Sequence, residues 1–171
     1  YKDVARRVEK LHILFKESDI HPGDRIALCS RNTANWGIAF LAALTYGAVA
    51  VPILNEFKPD TIHHIINHSG ARLLFVGKSV WDEIDHEDMP DLDGILAMSD
   101  YSVIFSRNNK LEETNTRLNE LFGQKYPERF TAEDVLYRVD APEELAMINY
   151  TSGTTSSPKG VMLPYRSMWS N

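Results

Sequence analysis

Between an apolar stretch that ends at Tyr150 and another that begins at Val161 stands Thr151-Ser152-Gly153-Thr154-Thr155-Ser156-Ser157-Pro158-Lys159-Gly160. The hydroxyls of Thr151, Ser152, Thr154 and Thr155, together with the backbone N–H groups between them, can donate to phosphate oxygens. Gly153 and Gly160 let the backbone come close, and the Lys159 ammonium supplies positive charge. These residue types in this order describe a cradle for a polyphosphate, with a nucleoside triphosphate as its natural guest.

The pattern differs from the phosphate loop G-x-x-x-x-G-K-[ST] that opens a helix. Lys159 is followed by Gly160 rather than Ser or Thr, and Pro158 disfavours helix at Ser157. Val161-Met162-Leu163 reads as extended, so the loop is expected between two strands, with a new helix starting near Arg166 or Ser167. Without a helix N-terminus at the phosphates, side-chain hydroxyls and the lysine must do more of the binding.

The segment resembles the signature loop of the AMP-forming acyl-CoA synthetases and related adenylate-forming enzymes, usually YTSGTTGxPKGV. Tyr150 to Thr155 agree with it, as do Pro158, Lys159, Gly160 and Val161. Upstream, Gly47-Ala48-Val49-Ala50-Val51-Pro52 resembles the family's GAVxVPL stretch, and Tyr1-Lys2-Asp3-Val4 the tail of its TYxEL opening. His68-Ser69-Gly70-Ala71-Arg72-Leu73-Leu74-Phe75-Val76 is similar to a turn and strand found in many members. The likeness covers most of the chain and is thinnest from Tyr101 to Pro142. Ser156 stands where the family usually has a second glycine, and Tyr165 follows Pro164 where it often has histidine. A non-glycine residue at positive φ costs about 1 kcal/mol, so Ser156 implies a different bend or a strained one.

The resemblance implies an enzyme that adenylates a carboxylic acid with ATP and Mg²⁺, releases pyrophosphate, and passes the acyl group to coenzyme A. In that chemistry Thr151, Ser152, Thr154 and Thr155 hold the β- and γ-phosphates, while Gly153 and Gly160 permit close approach and bending. Lys159 offsets charge on the departing pyrophosphate, and Thr155 is the loop hydroxyl assigned to Mg²⁺. Fatty acyl-CoA ligases are the preferred subgroup, with a long-chain acid as substrate. An amino-acid-activating domain of a peptide synthetase is the nearest rival, and a non-catalytic binding module the third reading. Opening on Tyr1 within an amphipathic pattern and closing at Asn171, residues 1–171 are expected to be an incomplete N-terminal subdomain of an AMP-binding domain. It would end just after the phosphate-binding loop, residues 150–161. The second nucleotide-contacting loop, the ribose-binding aspartate and the small C-terminal domain with its lysine are expected outside it.

Composition fits a globular unit: 43% hydrophobic and 25% charged residues in a 171-residue chain of net charge −6, enough to bury one sizeable core. The acidic balance and the lack of a basic stripe argue against nucleic acid as partner. Cys29, the single cysteine, lies in the buried-strand pattern Arg25-Ile26-Ala27-Leu28-Cys29 and reads as an inert core thiol, consistent with a reducing cytoplasmic setting. Trp36 to Leu54 carries no charge and is about long enough to cross a bilayer. Gly47, Val49, Val51 and Pro52 divide it instead into a buried helix, Asn32 to Tyr46, and a buried strand, Ala48 to Ile53. No transmembrane segment is expected, although the resemblance leaves room for peripheral membrane contact.

The elements that must position the loop alternate. A helix from Lys2 to Lys16 places Val4, Val8, Leu11 and Phe15 on one face. Strand Arg25 to Ser30 follows Pro22-Gly23-Asp24, then come the apolar helix and strand, and a helix opened by Pro59 and stopped at Gly70. Strand Ala71 to Val76, a short helix near Ser79 to Ile84, strand Gly94 to Met98 and strand Glu144 to Tyr150 complete the series. This predicts an α/β fold with a mainly parallel sheet and helices on both faces, as in the large N-terminal domain of an adenylate-forming enzyme. Ligands of such sheets sit beyond the carboxyl ends of strands, where Tyr150 leads into the loop.

From Tyr101 to Pro142 the pattern reads as one helix through Leu111, Leu118, Leu121 and Phe122, a second opened by a capping box at Thr131 to Asp134, and otherwise surface connection. His63, His64 and His68 share a helix but lack a third ligand and read as a solvated face. The acidic run from Asp82 to Asp93 reads as a solvated linker rather than a calcium loop. Trp36 and Phe40 read as core; Trp81 and Trp169 carry no assignment.

Overall fold

The computed structural model describes residues 1–135, 141–151 and 158–168. Among these residues, seven strands form one sheet in the order β5-β4-β3-β1-β2-β6-β7. These are β1 (Arg25–Cys29), β2 (Val49–Pro52), β3 (Ala71–Val76), β4 (Gly94–Ala97), β5 (Val103–Ser106), β6 (Leu145–Thr151) and β7 (Lys159–Pro164). The pairs β1–β2, β1–β3, β3–β4 and β2–β6 are parallel, and only the flanking pairs β4–β5 and β6–β7 are antiparallel.

Strands of β1 and β3 carry apolar side chains on both faces because helices cover both. Ile26, Leu28, Leu73 and Phe75 meet helices α1 (Lys2–Glu17), α2 (Ala34–Tyr46) and α5 (Asn109–Thr116). Ala27, Cys29, Leu74 and Val76 meet α3 (Pro59–Ser69) and α4 (Lys78–Trp81). Phe15 and Phe75 are fully buried and meet edge-on, their centroids 6.2 Å apart. Each such side chain removed from water contributes about 1.5–3 kcal/mol. Val8, Leu11 and Phe15 of the α1 face are buried as expected, whereas Val4 is exposed.

Local signals set the boundaries. The Thr33 hydroxyl accepts from the Trp36 backbone N–H at 3.1 Å and starts α2. Gly47 and Gly70, at φ 87° and 64°, end α2 and α3 in the left-handed conformation that glycine adopts without a Cβ clash. The charge-free stretch from Trp36 is therefore α2 followed by β2. No helix among the described residues is long and apolar enough to cross a membrane.

Residues 101–135 depart from expectation. Val103–Ser106 form β5 against β4, and the helix expected through Leu111 and Phe122 is two, α5 and α6 (Leu118–Lys125), separated at Arg117. The capping box at Thr131 and Asp134 is present and opens a 3₁₀ turn, Ala132–Asp134. The acidic run is folded rather than a solvated linker. Met89 and Leu92 are buried within it, His86–Asp88 form a 3₁₀ turn, and Asp93 holds Arg72 at 2.6 Å. Arg72 also bonds Asp24 at 2.7 Å, tying together the amino ends of β1, β3 and β4.

Candidate phosphate-binding site

The loop hangs from the β6–β7 hairpin. Cross-strand register pairs Thr151 with Lys159, Tyr150 with Gly160, and Asn149 with Val161. Side chains alternate along a strand and directly opposed residues share a face, so Thr151 and Lys159 project together from the tip on one face. Both are exposed. Tyr150 and Gly160 occupy the other face, toward α3. Ser152, Gly153, Thr154 and Thr155, and Ser156 with them, lie outside the described residues, as does Trp169. After β7 the described chain turns through a 3₁₀ segment, Tyr165–Met168, one residue earlier than the helix start read from Arg166.

β6 runs parallel to β2, so the tip stands at the carboxyl ends of the central strands. There a cleft of about 620 Å³ opens, lined by Ser30, Arg31 and Asn32 after β1, by Pro52 to Glu56 at the end of β2, and by Asn149, Tyr150 and Thr151. Trp36 forms part of its wall and stacks on Phe40 at 5.1 Å, so it serves both core and cleft.

Gly160 is required for a reason other than backbone bending. A Cβ there would stand 2.9 Å from Ile148 Cγ2 and 3.0 Å from Tyr150 Cζ, inside ordinary carbon contact. The Tyr150 ring lies across the glycine and fills the space of its missing side chain, the device by which an aromatic residue covers a strand glycine. Tyr150 is 5% exposed, and burial pushes its phenol above the usual range, so it stays an O–H group.

Of the three histidines of α3, His68 is exposed and His64 half-buried, in keeping with a solvated face, and His63 departs from it. His63 is buried; its Nε2 accepts from the Asp85 backbone N–H at 3.1 Å, and Nδ1 faces Asp88 at 3.5 Å. His68 Nδ1 and the Tyr150 hydroxyl share a hydrogen bond of 2.7 Å, with the rings edge-to-face. His64 stacks on His68 at 5.6 Å. No three His, Cys, Asp or Glu residues among those described are grouped to hold a metal ion. Tyr165, where a histidine is common in the resemblance, donates its hydroxyl to the Leu44 carbonyl at 2.6 Å and closes the hairpin against α2. Burial pushes the Cys29 thiol up to about 12, which fits an inert core residue.

The sequence as a whole identifies the class: the chain belongs to the AMP-binding enzyme family, matching it over residues 1–171. Among curated relatives it is 28% identical to long-chain-fatty-acid–CoA ligase 1 of Homo sapiens, over 100% of this chain and 25% of that protein. It is 27% identical to fatty acyl-CoA synthetase A of Dictyostelium discoideum, over 98% of this chain and 25% of that protein. The chain thus spans about a quarter of the length of these relatives. Among solved structures, the N-terminal domain of FACL13 from Mycobacterium tuberculosis superposes with a TM-score of 0.68 and 25% identity, covering 98% of this chain and 37% of that one. The anthranilate CoA ligase AuaEII, in complex with anthranoyl-AMP, superposes with a TM-score of 0.72 at 22% identity, covering 95% of this chain and 28% of that one, and so shares the fold.

Proposed function

We propose that residues 1–171 are the N-terminal subdomain of the AMP-binding domain of an acid–thiol ligase. The enzyme adenylates a long-chain fatty acid with ATP, releases pyrophosphate, and transfers the acyl group to coenzyme A, leaving AMP. The observation that carries this reading is the register of Thr151 with Lys159 at a hairpin tip at the carboxyl ends of the sheet. A hydroxyl and an ammonium on one face at the mouth of a hydroxyl-rich loop suit the oxygens of a triphosphate.

Attack of a carboxylate on a phosphoryl group brings two anions together, so charge neutralisation dominates the barrier. Thr151, Ser152, Thr154 and Thr155 hold the β- and γ-phosphates in line, and Lys159 stabilises the charge that collects on the leaving pyrophosphate. Thr155 is the hydroxyl that would hold Mg²⁺, whose positive charge would help neutralise the phosphates. No described residue is needed as a general base, because the attacking carboxylate is already ionised. The long-chain acid is supported by the similarity to long-chain-fatty-acid–CoA ligase 1 of Homo sapiens. A cytoplasmic setting agrees with a free, buried Cys29.

The test is ATP–pyrophosphate exchange by the full-length protein with palmitate or oleate. Exchange that requires the acid, and that falls about 100- to 1,000-fold in Lys159→Ala, is expected from loss of one preorganised charge contact. Exchange insensitive to Lys159→Ala, or no exchange with acids from acetate to oleate, refutes the assignment.

A further inference from the structure

The distal half of the hairpin is paired strand to strand, from Asn149 with Val161 to Thr151 with Lys159, but has little backbone support from the parallel sheet. Among the described residues β7 is the outermost strand, and β6 is in register with β2 at Met147 and Ala50 alone. Asn149, Tyr150 and Thr151 therefore extend past the last pairing with the parallel sheet. A side-chain contact reaches them from outside: His68, in the final turn of α3, meets the Tyr150 hydroxyl at 2.7 Å.

That contact touches both sides of the loop. Tyr150 immediately precedes Thr151 in β6, and its ring lies over Gly160, which immediately follows Lys159 in β7. The ring is in turn backed by the apolar cluster of α3 and the sheet, with Ile62, Ile65 and Ile66 among its members. His68 is steadied by stacking on His64 one turn earlier. One hydrogen bond thus fixes a ring whose two flanks set where the Thr151 hydroxyl and the Lys159 ammonium stand.

We propose that His68 is a positioning residue for the phosphate loop, acting through Tyr150 to hold Thr151 and Lys159 in triphosphate-binding register. The assignment rests on the function proposed above. His68 does not touch substrate; it removes a freedom of the hairpin that ATP would otherwise have to remove on binding, and so lowers the cost of association.

The experiment compares His68→Ala, His68→Asn and Tyr150→Phe with the wild type in the full-length protein, by acid-dependent pyrophosphate exchange. Loss of one neutral hydrogen bond corresponds to a rise in KM for ATP of roughly 3- to 12-fold. That rise is expected in His68→Ala and Tyr150→Phe, with kcat and the KM for the acid changed less than about 2-fold. Asn places an amide oxygen where Nδ1 stands, so His68→Asn is expected to restore most of the ATP affinity. The double variant His68→Ala with Tyr150→Phe is expected to be no worse than the weaker single one, because both remove the same bond. An unchanged KM for ATP in His68→Ala, or equal loss for ATP and acid with no rescue by Asn, overturns the assignment while leaving the enzyme reading intact. No exchange by the wild type overturns the enzyme reading first, and this assignment with it. Calorimetric titration of ATP into the same variants supplies a readout that does not need turnover: weaker binding in His68→Ala supports the assignment, and equal binding refutes it.

Discussion

Gly160→Ala is the sharpest test of the hairpin's geometry. The added methyl would meet Ile148 Cγ2 at 2.9 Å and Tyr150 at 3.0 Å (Cζ) and 3.3 Å (Cε1), where carbon atoms normally stay about 3.5–4.0 Å apart. Neither neighbour yields easily. Cγ2 of Ile148 is bonded directly to a branched Cβ and moves only with χ1 or the strand. The Tyr150 ring is held by His68 and by the apolar layer beneath it. Overpacking of this kind costs about 1–3 kcal/mol. Against it stands the gain from replacing glycine, which stiffens the unfolded chain by about 0.4–1 kcal/mol. The net expectation is a loss of about 1–2 kcal/mol, seen as a lower urea midpoint at unchanged m and a Tm lower by roughly 2–8 °C. Trimming the ring in Gly160→Ala with Tyr150→Leu should make the combined cost smaller than the sum of the single ones. A Gly160→Ala variant as stable as the wild type within about 0.3 kcal/mol, or more stable, would refute the placement of the ring over the glycine.

Two further outcomes follow from groups away from the loop. Cys29 is raised in the folded state from its ordinary 9.0 to about 12, so above pH 9 the unfolded chain releases a proton that the folded one keeps. Stability contributed by the neutral thiol is complete below pH 9 and declines as pH rises toward 12, by up to about 1.4 kcal/mol per pH unit. Urea midpoints from pH 8 to 10.5 should fall more steeply in the wild type than in Cys29→Ala, and parallel slopes would contradict this. Arg72→Met removes the partner of Asp24 and Asp93 while keeping the side chain's bulk. Since the group is partly solvated, a loss of about 1–2 kcal/mol in urea unfolding is expected, with the KM for ATP unchanged because the site lies at the opposite ends of the strands.

Much of the fold was legible because its signals are local. Runs such as Ile26 to Cys29 and Leu73 to Val76 are apolar on both faces, and Gly47, Pro59 and Gly70 mark helix ends by backbone chemistry alone. β5 was missed because its residues are short in number and only partly buried. The turn before it also uses Tyr101 at φ 64°, with Asp100 accepting from the Ser102 backbone N–H, instead of glycine. The break between α5 and α6 at Arg117 likewise contains no glycine or proline. The strands that flank the loop were legible through residue order, whereas residues 152–157 lie outside the described residues. The roles of His63, His68 and Gly160 were not legible, because each depends on a partner brought near by tertiary packing: Asp85 for His63, and Tyr150 for the other two.

The pairing of β6 beside β2 has a kinetic consequence. β1 to β4 are joined by successive short crossovers, whereas β6 reaches β2 only after the intervening residues from Ile53 to Glu144 have been laid down. Closing that long loop costs entropy before any pairing repays it. During synthesis the first four strands can therefore assemble with β2 as a bare edge, to be sealed only when the hairpin arrives. The hairpin tip is then the last portion of the seven described strands to mature, and the nascent chain is most exposed to edge-to-edge association in the interval before it does.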